Sequence, residues 1–168
     1  MGEQSPREQE LRALGSRLGL DLGSFNLLDR AVTHASALGD RPELSGNNES
    51  LEFLGDAVLG LAVAEWLYEH VPNLSPGQYT QMRAQVVNRQ TLARVAKRLD
   101  LGGVVRISRG EESSGGRERP ALLADCLEAV VGAVFVGEGW GTARDLSIRI
   151  LGEELRRAPD SLGDWNYC

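Results

Sequence analysis

Five carboxylates in this chain stand where apolar helices would not ordinarily place them. In "NNESLEFLGDAVLGLAVAEWLYEH", Asn47 to His70, the acids Glu49, Glu52 and Asp56 are spaced i, i+3 and i+7. On a helix that spacing puts all three on one face. Like charges so close repel and raise one another's pKa. The stretch "LLADCLEAVVGAVF" repeats the pattern, with Asp125 and Glu128 as i, i+3 neighbours among apolar or small residues. Asp and Glu are rarely buried unless paired. Two such helices suggest that the acidic pairs face each other across a hard divalent cation. Carboxylate oxygens with room for water are what Mg²⁺ accepts, and the cation would remove the repulsion. Such a site suits phosphoryl chemistry. A plainer reading of the spacing stays open beside it. Glu49 and Glu52 also fit ordinary first-turn acids that complement a helix dipole, and Asp125 and Glu128 could pair with arginines elsewhere. Asp56, between Leu54 and Val58 with Gly55 beside it, is harder to explain in that way.

The elements that must position these acids read as helices throughout, so the fold class is all-α. Arg7 to Leu18 carries Leu11, Leu14 and Leu18 at helical spacing, and Gly19 closes it. "NLLDRAVTHAS" predicts a short second helix, and "ALGDRPELSGN" a loop. The first acid-bearing helix starts at Asn47 or Asn48 and runs to about Glu69. "VPNLSPGQ" is a turn. Two helices follow, from about Ser75 to Val87 and from Arg89 to Leu99, with a break near Asn88. "GGVVRISRGEESSGGRERP" is rich in Gly, Ser and charge, and reads as an exposed loop with one helical turn at most. "ALLADCLEAVVGAVFVGEG" is a buried helix and "GTARDLSIRILGEELRR" a final amphipathic one. Residues 1–158 form one domain in this reading, and residues 159–168 a tail or the start of a linker.

The chain has 168 residues, 42% hydrophobic and 25% charged, enough apolar material for one core, and only 5% aromatic, so that core is built of Leu, Val and Ala. No run approaches the ~20 apolar residues that span a bilayer, and the charged N-terminus shows no secretory signal; no membrane association is expected. Cys126 and Cys168 are too few for a disulfide framework or a zinc site, which points to a reducing, cytoplasmic setting. The net charge of −6 argues against a simple basic nucleic-acid binder, but not against a nucleic-acid enzyme whose acids hold metal ions.

"NNESLEFLGDAVLG" resembles the signature segment of the ribonuclease III family, with Ser50 standing where Arg is common. "RPALLADCLEAVVGAVFV" resembles the family's second segment, its L-A-D-x-x-E-A core at Leu123 to Ala129. "AVTHAS", "QMRAQVVNRQTLARVA" and "RGEESSGGRERP" fall where the family has similar segments, so the likeness runs from about Leu11 to Leu155. The resemblance implies the helical, dimeric endonuclease-domain fold. It also implies a double-stranded-RNA-specific endoribonuclease acting in RNA processing, with ribosomal and messenger precursors as the family expectation. Hydrolysis would be Mg²⁺-dependent, with Mn²⁺ as a substitute, giving 5′-phosphate and 3′-hydroxyl ends and a two-nucleotide 3′ overhang. Glu52, Asp56, Asp125 and Glu128 would be the metal ligands, with Asp56 and Glu128 closest to the chemistry and Glu49 an accessory acid. Phe53 would be a homodimer contact; it lies about 100° round the helix from Glu52, and without the resemblance it reads as core. Two departures stand out. Pro76 replaces an acid that many members carry across the dimer, and the double-stranded-RNA-binding domain usual in bacterial members does not follow within these residues.

Duplex RNA is recognised through phosphates and 2′-hydroxyls. Arg106, Arg109, Arg117 and Arg119 cluster in the Gly-rich loop, where glycines let backbone approach phosphate. Arg83, Asn88, Arg89 and Gln90 lie on the preceding helices. All eight are candidate RNA contacts, with a solvated face as the plainer reading of each arginine. His34 reads as structural. Two alternatives compete with the nuclease: a catalytically silent relative serving as a structural RNA-binding or ribosomal protein, and a metal-dependent enzyme of small phosphoesters. The presence of all four acids disfavours the first.

Overall fold

The computed structural model describes residues 2–160, and among them every regular element is helical. In chain order these are α1 (Pro6–Arg17), α2 (Asn26–Ala31), α3 (Ala37–Asp40), α4 (Glu49–His70), α5 (Pro76–Val86), α6 (Arg89–Arg98), α7 (Arg109–Ser113), α8 (Pro120–Glu138), α9 (Trp140–Ile150) and α10 (Gly152–Arg157), with single 3₁₀ turns at Leu101–Gly103 and Gly116–Glu118. One isolated parallel bridge, Thr33 to Arg106, ties the segment after α2 to the segment before α7.

α8 is the axis of the fold. It packs against α4, α6, α9 and α2, with its most extensive contact along α4. Leu122, Leu123, Leu127, Val130, Val131 and Val134 are all buried. Its 19 residues are long and apolar enough to cross a membrane, which corrects the expectation that no run comes near that length. The helices that cover it account for its apolarity. α4 answers with Leu51, Val58, Leu59, Ala62, Val63 and Leu67 on its inner face and ends at Val71, where Pro72 cannot continue the ladder.

The boundaries follow local chemistry. Ser75 and Gln78 form a reciprocal capping box at the start of α5, with Pro76 in the first turn. Asn88 Oδ1 accepts from Thr91 N at 2.9 Å and starts α6. Gly19, at φ +69°, ends α1 in the left-handed region. Three expectations need revision. α3 occupies part of the predicted loop. The loop before α8 holds α7 and two 3₁₀ turns. The last predicted helix is two, parted at Leu151, whose buried side chain turns the chain back onto the core. The predicted tail lies almost wholly outside the described residues.

Candidate active site at the crossing of two acidic helices

α4 and α8 touch backbone to backbone, and glycine is the reason. A Cβ on Gly55 would lie 1.6 Å from the Glu128 carbonyl oxygen, and one on Gly132 would lie 2.2 Å from that of Leu51. Only residues without a Cβ permit this approach. It sets Glu52 and Asp56, on either side of Gly55, against Asp125 and Glu128. The N-terminus of α4 is held by Asn48, whose buried Nδ2 donates to the Ala31 carbonyl at 3.0 Å and whose backbone N–H donates to Thr33 at 3.0 Å. Asn47 Oδ1 accepts from the Glu49 N–H at 3.0 Å, so capping falls to Asn47 rather than Asn48. Ser50, the odd residue of the signature, accepts from Arg30 Nη2 at 3.1 Å; α2 thus brings a guanidinium to that point.

The electrostatics show that the four acids share one environment. Burial pushes the Glu52 carboxyl up to about 7, helped by the Asp125, Glu49 and Asp56 charges. Burial also pushes Glu128 up to about 8, with Asp56, Asp125 and Glu52 adding to it. Asp125 is raised by burial, against the pull of a hydrogen bond from Glu52 and the charges of Arg89 and His34. The interaction between them thus raises Glu52 and lowers Asp125. Asp56 is exposed and opens onto a groove of about 530 Å³ between α4 and α5, where Gly60, Leu61, Thr80 and Arg83 also line the wall. Glu49 sits exposed at the rim of the same helix.

Among the described residues no three His, Cys, Asp or Glu side chains form a ready-made metal cage. The donor set nonetheless fits Mg²⁺, which takes one or two carboxylates and keeps several waters, rather than zinc, which wants a closed set of nitrogen and sulfur ligands. Four oxygen-donor acids, two of them with pKa values raised by burial and by one another, are what such an ion would stabilise.

The candidate RNA contacts divide into two groups. Arg83, Asn88, Arg89, Gln90 and Arg109 are exposed, and Arg89 is close enough to act on Asp125. The other three arginines are committed within the fold. Arg106 pairs with Asp29 at 3.4 Å and Arg119 with Glu111 at 2.6 Å. Arg117 pairs with Glu112 and donates to the carbonyls of Gly102 at 2.9 Å and Val105 at 2.6 Å. These pairings shape the loop into α7 and the turn that starts α8. Sequence reasoning did not find the influence of His34 on Asp125. Its Nδ1 lies 2.7 Å from Ser36 Oγ, and its backbone N–H donates to the Arg106 carbonyl at 2.9 Å. No signal in "AVTHAS" alone connects it to a residue some ninety positions away. Phe53 is 83% exposed rather than part of the core.

A family model described as Ribonuclease-III-like matches residues 24–154. Curated relatives called Ribonuclease 3 include those of Moorella thermoacetica, 43% identical over 92% of this chain and 66% of its own length, and Pelotomaculum thermopropionicum, 46% identical over 86% and 60%. A third, from Thermobifida fusca, is 44% identical over 98% of this chain and 68% of its own. The chain thus spans about two thirds or less of the length of the first of these relatives. Among solved structures, two nuclease-domain structures of ribonuclease III from Campylobacter jejuni superpose with TM-scores of 0.80 and 0.79 at 37% and 36% identity. They cover 86% of this chain and 97% and 95% of theirs, and the first concerns flexibility in a region involved in dimer formation. Acid pattern, fold and relatives agree: this chain belongs to the ribonuclease III family.

Proposed function

We propose that the protein is a metal-dependent endoribonuclease that cuts double-stranded RNA in the cytoplasm, where Cys126 would remain the free, buried thiol it is here. The observation that carries this reading is the glycine-mediated crossing of α4 and α8, which gathers Glu52, Asp56, Asp125 and Glu128 into one electrostatic unit. A silent relative would have no use for carboxyls held at about 7 and about 8 by their burial and mutual repulsion.

Glu52, Asp56, Asp125 and Glu128 would hold Mg²⁺, or Mn²⁺ in its place. Bound there, the ion supplies positive charge that polarises the phosphodiester and lowers the pKa of water. Burial and mutual repulsion raise Glu52 and Glu128 above the ordinary carboxylate range, and a cation held there would favour their ionised forms. Asp56, exposed beside the groove, faces the side from which a phosphodiester can enter. Glu49 adds negative charge at the rim. Arg83, Arg89, Gln90 and Arg109 offer side-chain donors to phosphates and 2′-hydroxyls, whereas the Asn88 amide is spent on the Ala84 and Gln85 carbonyls at 3.0 and 2.9 Å. Hydrolysis with the bridging oxygen leaving on the ribose 3′ side gives 5′-phosphate and 3′-hydroxyl ends.

A homodimer would place two such sites on one duplex, which accounts for a staggered two-nucleotide 3′ overhang. Support comes from one face of α4, where Phe53 is 83%, Leu61 57% and Tyr68 76% exposed. An apolar stripe of that length marks an interaction surface, and a related nuclease domain has a region involved in dimer formation. A labelled RNA duplex incubated with the protein and Mg²⁺, beside single-stranded RNA and DNA duplex controls, tests the reading. Selective cleavage of the RNA duplex supports it, and binding of duplex with no cleavage at any Mg²⁺ concentration would favour a structural RNA-binding role.

A further inference from the structure

A second polar cavity shares no residue with the acidic groove. It has a volume of about 330 Å³ where α1 meets the segment before α7, and Arg7, Glu10, Arg41, Arg106 and Arg117 line it. Four guanidinium groups therefore border a space with one lining carboxylate. Asp29, from α2, braces two of them from behind: it accepts from Arg7 Nε at 2.8 Å and from Arg106 Nη1 at 3.4 Å. Arg7 Nη1 is shared between Glu10 at 3.0 Å and the Val104 carbonyl at 2.6 Å. Arg117 is held by Glu112 and by two carbonyls. Arg41 has no ion-pair partner among the described residues. Arg7 Nη2 is buried without a hydrogen-bond partner, the one such side-chain atom among the described residues.

Two features of this arrangement are unfavourable as it stands. Buried donors are almost always satisfied, and an orphan costs free energy. Burial lowers the Arg106 pKa, and the charges of Arg7 and Arg41 add to it against the opposing pull of Asp29 and Glu10, so the guanidiniums repel one another. A compact anion with several acceptor oxygens relieves the repulsion directly, and it satisfies Arg7 Nη2, which is buried beneath the cavity wall, once that guanidinium turns toward it. Phosphate meets that description, because its oxygens accept the planar fork of arginine two at a time and can serve several forks together.

We infer that this pocket binds a phosphate group, with Arg7, Arg41 and Arg106 as its donors. The same chemistry has two sources, a free phosphate or terminal phosphate in solution and a backbone phosphate of a bound RNA duplex. The second source rests on the duplex-binding reading above; the site itself does not.

The test uses the chain in EDTA, so that the acidic groove repels rather than binds the probe. Inorganic phosphate is titrated by calorimetry and by melting temperature, against chloride at matched ionic strength. Saturable binding with a rise in melting temperature is expected. Arg41→Ala, which breaks no ion pair, should melt as wild type without phosphate and bind it about tenfold more weakly, the usual scale for one charge-assisted hydrogen bond. Arg106→Lys keeps the charge without the fork and should also weaken binding. Duplex affinity measured in Ca²⁺ separates the sources: a parallel loss in Arg41→Ala assigns the pocket to the RNA backbone, and an unchanged duplex affinity assigns it to free or terminal phosphate. No saturable phosphate effect in the wild type, or equal phosphate affinity in both variants, overturns the site.

Discussion

Replacing Gly55 with alanine puts one methyl group into the contact that builds the site. The new Cβ would lie 1.6 Å from the Glu128 carbonyl oxygen and 3.0 Å from the Gly132 nitrogen. Cβ contacts essentially never fall below 3.0 Å, so the helices must separate by about 1.4 Å at this point. The obstruction is backbone, which has no rotamer to turn aside. Overpacking costs ~1–3 kcal/mol, and the upper end applies; the helix propensity gained over glycine returns up to ~1 kcal/mol. A net loss of about 2 kcal/mol follows, or ~4–8 °C in melting temperature for a chain of this size. The chemistry suffers more, because the same separation parts Glu52 and Asp56 from Asp125 and Glu128. A misplacement of ~1 Å can cost ~100-fold in rate. Gly15→Ala is the control. It adds the same methyl to α1, where the nearest atoms are Leu20 O at 3.7 Å and Phe25 Cε1 at 3.8 Å. That variant should be neutral, or more stable by up to ~1 kcal/mol, and fully active. The assays are thermal melting and duplex cleavage. If Gly55→Ala melts and cleaves as the wild type does, close helix approach does not organise the site.

Phe53→Ala should leave the melting temperature of the dilute monomer nearly unchanged, since the ring is 83% exposed, yet weaken self-association by ~2 kcal/mol, read by sedimentation; a large stability loss with unaltered association would contradict this. Glu128 and Glu52 are held at about 8 and about 7 in the fold, above the ordinary carboxylate value. The folded form therefore keeps protons that the unfolded chain releases. Stability of the metal-free protein should be fullest below about pH 4.5 with respect to these groups, and should fall as pH rises from there to about 8. Millimolar Mg²⁺ should flatten that slope, and a pH-independent melting temperature over the window would refute the shared environment. Arg89→Ala should weaken duplex binding evenly across sequences and reduce its salt dependence by about one ion, while an unchanged salt slope would return Arg89 to a solvated or purely electrostatic role beside Asp125.

The acid pattern was legible because helical periodicity is a local property: Glu52, Asp56, Asp125 and Glu128 announce their faces within a few residues each. That the two faces meet was an inference, and the means by which they meet was not visible. Gly55 and Gly132 look like any helical glycine until the partner helix is known. The pairings of the loop arginines were hidden for the same reason. Arg106, Arg117 and Arg119 sit in a polar, glycine-rich stretch that reads as an open loop, and what commits Arg106 is Asp29, 77 positions away. Charge composition cannot distinguish a free guanidinium from one held by a remote carboxylate. Phe53 shows the converse. Apolarity alone assigned it to a core, and exposure assigned it to a surface. The break at Leu151 was missed because its helical pattern continues across the bend.

If the acids of α4 and α8 form one metal-dependent catalytic centre, Glu128→Gln should disable its chemistry without altering its shape. The substitution keeps the side-chain volume, removes one negative oxygen and abolishes the group held at about 8. Duplex binding and duplex cleavage should be measured together, over a Mg²⁺ titration carried to saturation. Binding equal to or tighter than that of the wild type, with cleavage lower by orders of magnitude at every Mg²⁺ concentration, is the predicted result. Cleavage by Glu128→Gln at the wild-type rate in saturating Mg²⁺ would contradict it.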